Sequence, residues 1–272
     1  HMMWNDCYKI SSIEKYPLPW DKRDIDLAMD SWVTHEFNEE WQQENWRLSL
    51  VNAGHIPGAG MLKVETENKD ILFTGDFDTR DSPLTNGAKP HDVDMLFIEG
   101  TYGGREHANQ QEELDRFIEN VIRVTDKGGT VLIPAFANGR TQDMLIRLYQ
   151  NCPELDVHVD GMGKRITKLQ LENGQFLRDP KLLNDAWNWS RRVSSKSDRK
   201  KALDSDVIVS TSGMLQGGPS IWYLNRLRHD MENEIFFTGY QARDTGGRKL
   251  QTESKVDICL LYTSPSPRDN TT

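Results

Sequence analysis

From about residue 94 onward, short apolar runs alternate with amphipathic stretches, and this alternation constrains the fold more than any other feature of the chain. Asp94–Glu99, Thr130–Pro134, Val157–Val159, Val207–Ser210 and Glu234–Thr238 read as short strands. Between them, Gln110–Thr125 places apolar residues at 114, 117, 118, 121, 122 and 124, the spacing of one helix face, and Gly128-Gly129 follows as a stop. Arg140–Tyr149 and Ser220–Arg228 read as helices, and Gly161–Leu171 as helical in part. The basic stretch Lys181–Lys201 fits no single element. Strands separated by helices imply a mainly parallel α/β sheet. Earlier in the chain the pattern changes. Leu48–Ala53, Met61–Thr66 and Ile71–Thr74, the last two joined by the polar turn Glu67-Asn68-Lys69-Asp70, read as hairpin strands of a separate layer that contains antiparallel pairs. Residues 1–47 are rich in charge and tryptophan and predict one helix, Asp21–Met29, with Asp21 as its N-cap.

Composition narrows the class. The chain has 272 residues, a net charge of −9, 36% hydrophobic and 28% charged residues, which fits one large or two ordinary globular domains and excludes collagen-like and disordered chains. A membrane span needs about 18 consecutive apolar residues. Runs such as Val131–Ala137, interrupted by Pro134, fall far short. Cys7, Cys152 and Cys259 show no CxxC spacing, which argues against a disulfide framework and for the reducing cytoplasm. His1-Met2-Met3 reads as a cloning scar. The segment Cys259–Asp269 resembles a translated sequencing adapter of the kind left in environmental read assemblies, with a Ser/Pro-rich flexible tail as the alternative. Residues 259–272 are therefore expected to be non-native.

The densest chemical signal is Val51-Asn-Ala-Gly-His-Ile-Pro-Gly-Ala-Gly60 followed by Phe73-Thr-Gly-Asp-Phe-Asp78. It places His55 and Asp76, both zinc-type ligands, at neighbouring strand ends. A structural histidine and a turn aspartate are the alternatives. The segment Ser210–Ser220 is a glycine-rich loop between a strand and a helix, where backbone N–H groups favour phosphate, with a tight strand-to-helix connection as the alternative. Arg140 opens a helix, where it either binds phosphate or pairs with Asp143. Arg243, Arg248 and Lys249 cluster beside Gly246-Gly247, as a phosphate contact or a solvated loop. Arg191, Arg192, Lys196, Arg199, Lys200 and Lys201 form the strongest basic run, either a solvated face or a means of steering a polyanionic strand. Gly161-Met-Gly-Lys-Arg165 lacks P-loop spacing, and His107 has no HExxH partner.

The motifs AGHIPGAG, ILFTGDFDTRD, MLFIEGTYGGREH, GTVLIPAFANGRTQDML, VIVSTSGMLQGGPS and FFTGYQARDTGGRKL occur in this order. Together they resemble the β-CASP branch of the metallo-β-lactamase fold, the branch of RNase J and of the nuclease subunit of the cleavage and polyadenylation specificity factor, over roughly residues 48–255. The resemblance implies an α/β fold, with a partial metallo-β-lactamase αββα sandwich over residues 1–102. A parallel β-CASP domain would follow over 103–245, and a return to the first domain over 246–258. It implies two zinc ions per complete enzyme, with His55 as a ligand of one and Asp76 bridging both. Glu99 would orient a catalytic histidine and help proton transfer, and the Ser210–Ser220 loop would meet the RNA backbone, with Ser212 and Gly213 as candidates. The implied function is endo- or exonucleolytic cleavage of RNA in 3′-end processing or decay, and a DNA nuclease of the same family is a further option. No HxHxDH motif precedes residue 48, and Lys249 stands where some members carry a histidine. The chain is therefore expected to be a fragment, truncated at both ends, that is inactive alone. The alternative is a non-catalytic RNA-binding scaffold. Missing sandwich strands would leave open edges, so a homodimer is also expected.

Overall fold

The computed structural model describes residues 1–101, 103–104 and 109–253. Tyr102, His107 and the adapter-like tail with Cys259 lie outside the described residues. Residues 1–39 form one compact unit, and the chain from Glu40 onward forms another. Among the described residues, no helix is long and apolar enough to cross a membrane.

The first unit carries two helices. Helix α2 (Lys22–Asp30) has the expected N-cap: Asp21 accepts from the Arg23 and Asp24 backbone N–H groups, and Asp24 answers on the Asp21 N–H. Helix α1 (Met2–Glu14) is absent from the sequence reading. Its apolar residues do not fall on one clean face, and the Trp4–Trp32 and Tyr8–Trp20 ring contacts give it tertiary neighbours.

The second unit holds two sheets. One has the order β1 (Glu40–Gln43), β2 (Trp46–Asn52), β3 (Gly60–Glu65), β4 (Asp70–Phe73), β5 (Met95–Phe97), antiparallel except that β5 runs parallel to β4. The polar edge strand β1 (Glu-Trp-Gln-Gln) lacks the alternation that marks a half-buried strand, so the sequence gives no sign of it. The β3–β4 turn is closed by Thr66, whose Oγ1 accepts from the Lys69 N–H at 3.0 Å. Val51, Met61 and Leu72 bury one face against Ala53 and Ala88. On the opposite face Phe73 stacks on Phe97 at 4.5 Å. Met95, Leu96, Phe97 and the following Ile98 are all exposed, an uncovered apolar edge.

The other sheet has the order β10 (Glu234–Ile235), β6 (Val131–Pro134), β9 (Val207–Ser210), β7 (Val157–Asp160), β8 (Arg191–Arg192), and every pair in it is parallel. Strands β6, β7 and β9 are buried at every residue, as expected when helices cover both faces of a parallel sheet. Alternation sorts the side chains. Val131, Ile133, Val157, Val159, Val207 and Val209 face a core built with α3 (Gln110–Thr125), α4 (Arg140–Asn151) and α6 (Pro180–Trp189). Leu132 and Ile208 face the opposite side, against Tyr223 and Leu227 of α8 (Gly218–Leu227). Helix α3 matches its predicted span; Asn109 caps it, and Glu112 and Glu113 occupy its positive end.

The stretch without an assignment resolves into α6, capped by Asp179 with Pro180 in its first turn, then β8 and α7 (Lys196–Lys201). Leu183, Ala186 and Trp187 bury one face of α6, an i, i+3, i+4 pattern masked by the basic residues that follow. Helix α5 (Gly163–Glu172) lies between β7 and α6, and α9 (Gly246–Glu253) ends the described chain. The predicted strand at 234–238 is shorter than expected, because only Glu234 and Ile235 pair with β6.

Candidate functional site

Three of the sequence candidates, His55, Asp76 and Glu99, sit on three neighbouring loops. His55 sits in the loop after β2, which is stapled from several sides. Asn52 Oδ1 accepts from the Gly54 N–H at 3.0 Å, the Thr85 hydroxyl donates to the Gly54 carbonyl at 2.9 Å, and the Asp78 N–H donates to the Ala53 carbonyl at 3.0 Å. Asp76 follows β4 in the next loop. Glu99 follows β5; its N–H donates to Thr74 Oγ1 at 3.3 Å, and its carboxylate accepts from the Thr101 N–H at 2.9 Å. Adjacent strand ends thus carry the two carboxylates, which is why residues 23 positions apart in sequence share one site.

His55 feels the charges of Asp76, Asp78, Arg140 and Glu99. Burial is the largest influence and holds its imidazole below the ordinary histidine range, while the acidic neighbours pull the other way. The ring is therefore neutral near neutral pH, the form that ligates metals. Its Nδ1 is buried and has no hydrogen-bond partner among the described residues. Asp78, absent from the candidate list, belongs to this cluster and is tied to Arg80 by a two-pronged ion pair, with contacts of 3.0 and 2.8 Å. The second aspartate of the Asp-Phe-Asp run was its only sequence signal.

Arg140 is buried at the start of α4 and donates to Asp143 at 3.1 Å, so the pairing offered by the sequence is present. Arg147 Nε shares the same carboxylate at 3.0 Å. The loop between β6 and α4 joins the other candidates to His55: Gly139 lies directly beneath Ile56, and Gly213 lies against the backbone of Ala135 and Phe136. Gly213 is buried, and its carbonyl accepts from Gln241 Nε2 at 3.0 Å. Ser212 is half-buried, and its Oγ accepts from the Gln216 N–H at 3.2 Å. Arg243, Arg248 and Lys249 are exposed. Arg248 and Lys249 lie on α9, a helix rather than a loop, whose start is fixed to the Ser212 segment by the Gly247 N–H donating to the Met214 carbonyl at 3.0 Å. The loops after β6 and β9 lie outside the carboxyl ends of those strands, where open α/β sheets place their ligands.

Zinc in hydrolytic sites takes three protein ligands and leaves a position open. Among the described residues, no group of three or more His, Cys, Asp or Glu side chains is arranged to hold a metal ion. His55 with its open Nδ1 and the nearby Asp76 supply suitable donor types, but this pair falls short of the set.

The Beta-Casp domain family matches residues 129–250. RNase aCSPSF2 of Saccharolobus solfataricus is 35% identical over 259 residues, covering 94% of this chain and 52% of that protein. Probable RNase MJ4 of Methanocaldococcus jannaschii is 33% identical over 267 residues, covering 94% and 62% respectively. Transcription termination factor FttA of the same organism is 32% identical over 280 residues, covering 92% and 43%. The chain thus spans about half the length of these relatives. The all-parallel sheet over residues 131–235 falls within the matched segment, so residues 129–250 form a Beta-Casp domain.

Proposed function

We propose that this chain is part of a zinc-dependent ribonuclease that hydrolyses RNA phosphodiesters in 3′-end processing or decay, and that it does not cleave RNA by itself. The supporting observation is the convergence of His55 with Asp76, Asp78, Glu99 and Arg140 at the edge of two sheets. Zinc, held by His55 and Asp76 with ligands from outside the described residues, would supply the positive charge for water activation and leaving-group stabilisation. The protein's own residues prepare the site. Burial keeps His55 neutral, Thr101 fixes the Glu99 carboxylate, and the Ser212 segment and α9 offer backbone N–H groups and cations to the strand being cut. Names of relatives that specify RNases and a termination factor support RNA over DNA. The reading places the protein in the cytoplasm, with the exposed β5 edge favouring self-association.

A non-catalytic RNA-binding scaffold is the second reading, favoured by the short ligand set among the described residues. The test is a longer form of the protein that restores the relatives' length, incubated with single-stranded RNA and zinc. Cleavage that a chelator stops and that Asp76→Ala abolishes is expected. RNA left intact by a folded, zinc-loaded long form would establish the scaffold reading instead.

A further inference from the structure

The strongest basic run of the chain lies away from the His55 loop, and the structure gives it a partner. Segments 191–203 and 217–229 carry eight Lys and Arg residues against one acid, Asp198, in a chain of net charge −9. Asp198 is turned inward as a helix cap, accepting from the Ser195 N–H at 3.0 Å. Helices α7 and α8 meet over Asp160, at the end of β7. Arg199 Nε of α7 donates to Asp160 Oδ2 at 2.6 Å, and the Tyr223 hydroxyl of α8 donates to the same oxygen at 3.1 Å. This anchor brings the Arg199 guanidinium within 5.9 Å of the Trp222 ring centre. On the same ring, the Arg226 guanidinium lies 3.7 Å from the centre and donates to the Trp222 carbonyl at 3.0 Å. Arg226 is exposed, so a fixed, planar cation stacked on an indole presents its surroundings to solvent. Lys196 and Lys200, three residues before and one after Arg199, flank it on the short exposed helix.

We propose that the α7–α8 face is a binding track for single-stranded RNA, in which a base stacks on the Trp222–Arg226 pair and Lys196, Arg199 and Lys200 contact phosphates. Unpaired bases stack on aromatic rings and on guanidinium planes, and neighbouring cations hold the backbone. The track continues from the candidate site, because α8 is the helix that the Ser212 segment feeds. From Gly218 to Arg226 the helix rises about 12 Å. The proposal rests on the ribonuclease reading only for the choice of RNA as ligand.

The test titrates the chain into a short labelled oligouridine, followed by fluorescence anisotropy at several salt concentrations. Arg226→Ala and Arg226→Lys are each expected to weaken binding about tenfold, the second because lysine keeps the charge but loses the plane. Thermal melts show whether each variant is folded. The double variant Lys196→Ala/Lys200→Ala is expected to reduce the slope of log K against log salt by about 1.4, the value for two phosphate contacts on a single strand. Arg226→Lys binding like the parent would overturn the stacking, and an unchanged salt slope in the lysine variant would overturn the track. If the parent binds RNA and none of these variants alters that, only this proposal fails. A parent that binds no RNA defeats the RNA reading as well.

Discussion

Replacing Asp160 with alanine is expected to destabilise the second unit by about 2–4 kcal/mol, read from urea unfolding. Asp160 is only 1% exposed and ties three elements together. It accepts from Arg199 on α7 at 2.6 Å, from Tyr223 on α8 at 3.1 Å and from Lys164 on α5 at 3.4 Å. Removing one member of a buried ion pair typically costs about 3–5 kcal/mol, because the remaining charge stays desolvated. Partial exposure of the two cations sets the estimate lower here. The side chains of Arg199 and Lys164 are 34% and 23% exposed, so both cations regain some water once released. The fully buried Tyr223 hydroxyl has no such escape, and an orphaned buried donor adds about 1–3 kcal/mol. Burial, the largest cause of the raised phenol, persists in the variant, so ionisation offers no relief near neutral pH. Asp160→Asn is expected to lose most of the same stability, since it keeps the shape and removes the charge. A loss below about 1 kcal/mol for alanine would mean that the network carries little energy.

Gly54→Ala is expected to cost about 2–5 kcal/mol, combining a left-handed backbone cost with overpacking. Gly54 has φ +69°, and an added Cβ would stand 2.3 Å from the Asp78 carbonyl oxygen and 2.5 Å from the Ala88 nitrogen. Both obstacles are backbone atoms of neighbouring loops, so no side chain can swing aside. The next residue is His55, and any shift that relieves the clash moves the imidazole relative to Asp76 and Asp78. Gly58, in the same loop, is the control. Its φ is also positive, at +83°, but a Cβ there meets nothing within 4 Å, so Gly58→Ala should cost only about 1 kcal/mol. Equal effects for the two substitutions would show that backbone strain alone, rather than the tight seat of the loop, governs this region.

The parallel sheet was legible because its three central strands, VLIP, VHVD and VIVS, are short, apolar and separated by helical spacing. Helix α3 was legible to the residue because Asn109 and the acidic first turn mark one end and Gly128-Gly129 closes the other. What escaped had weak or competing signals. The few buried positions of α6 run directly into six cations, and β8 contributes two exposed arginines whose backbone joins the sheet. Helix α9 is short and opens with two glycines, which read as a loop; they are there because α9 packs against the Leu215 carbonyl and Gln241. The Asp160 network left no motif, since its partners stand 4, 39 and 63 residues away in sequence. His55 and Asp76 were recognisable by residue type, but their pairing came from the family resemblance rather than from spacing. Asp78 joins them only through the fold, which turns Gly54 and Asp78 into backbone neighbours.

The zinc content of the purified chain, measured by elemental analysis after exposure to zinc and removal of the excess, bears most directly on the proposed function. His55 and Asp76 as the main donors are expected to leave well under one tightly held zinc per chain, lost readily on dialysis, with RNA remaining uncut. Two zinc ions per chain retained through dialysis, accompanied by chelator-sensitive cleavage of RNA, would contradict the claim that the chain is an incomplete nuclease.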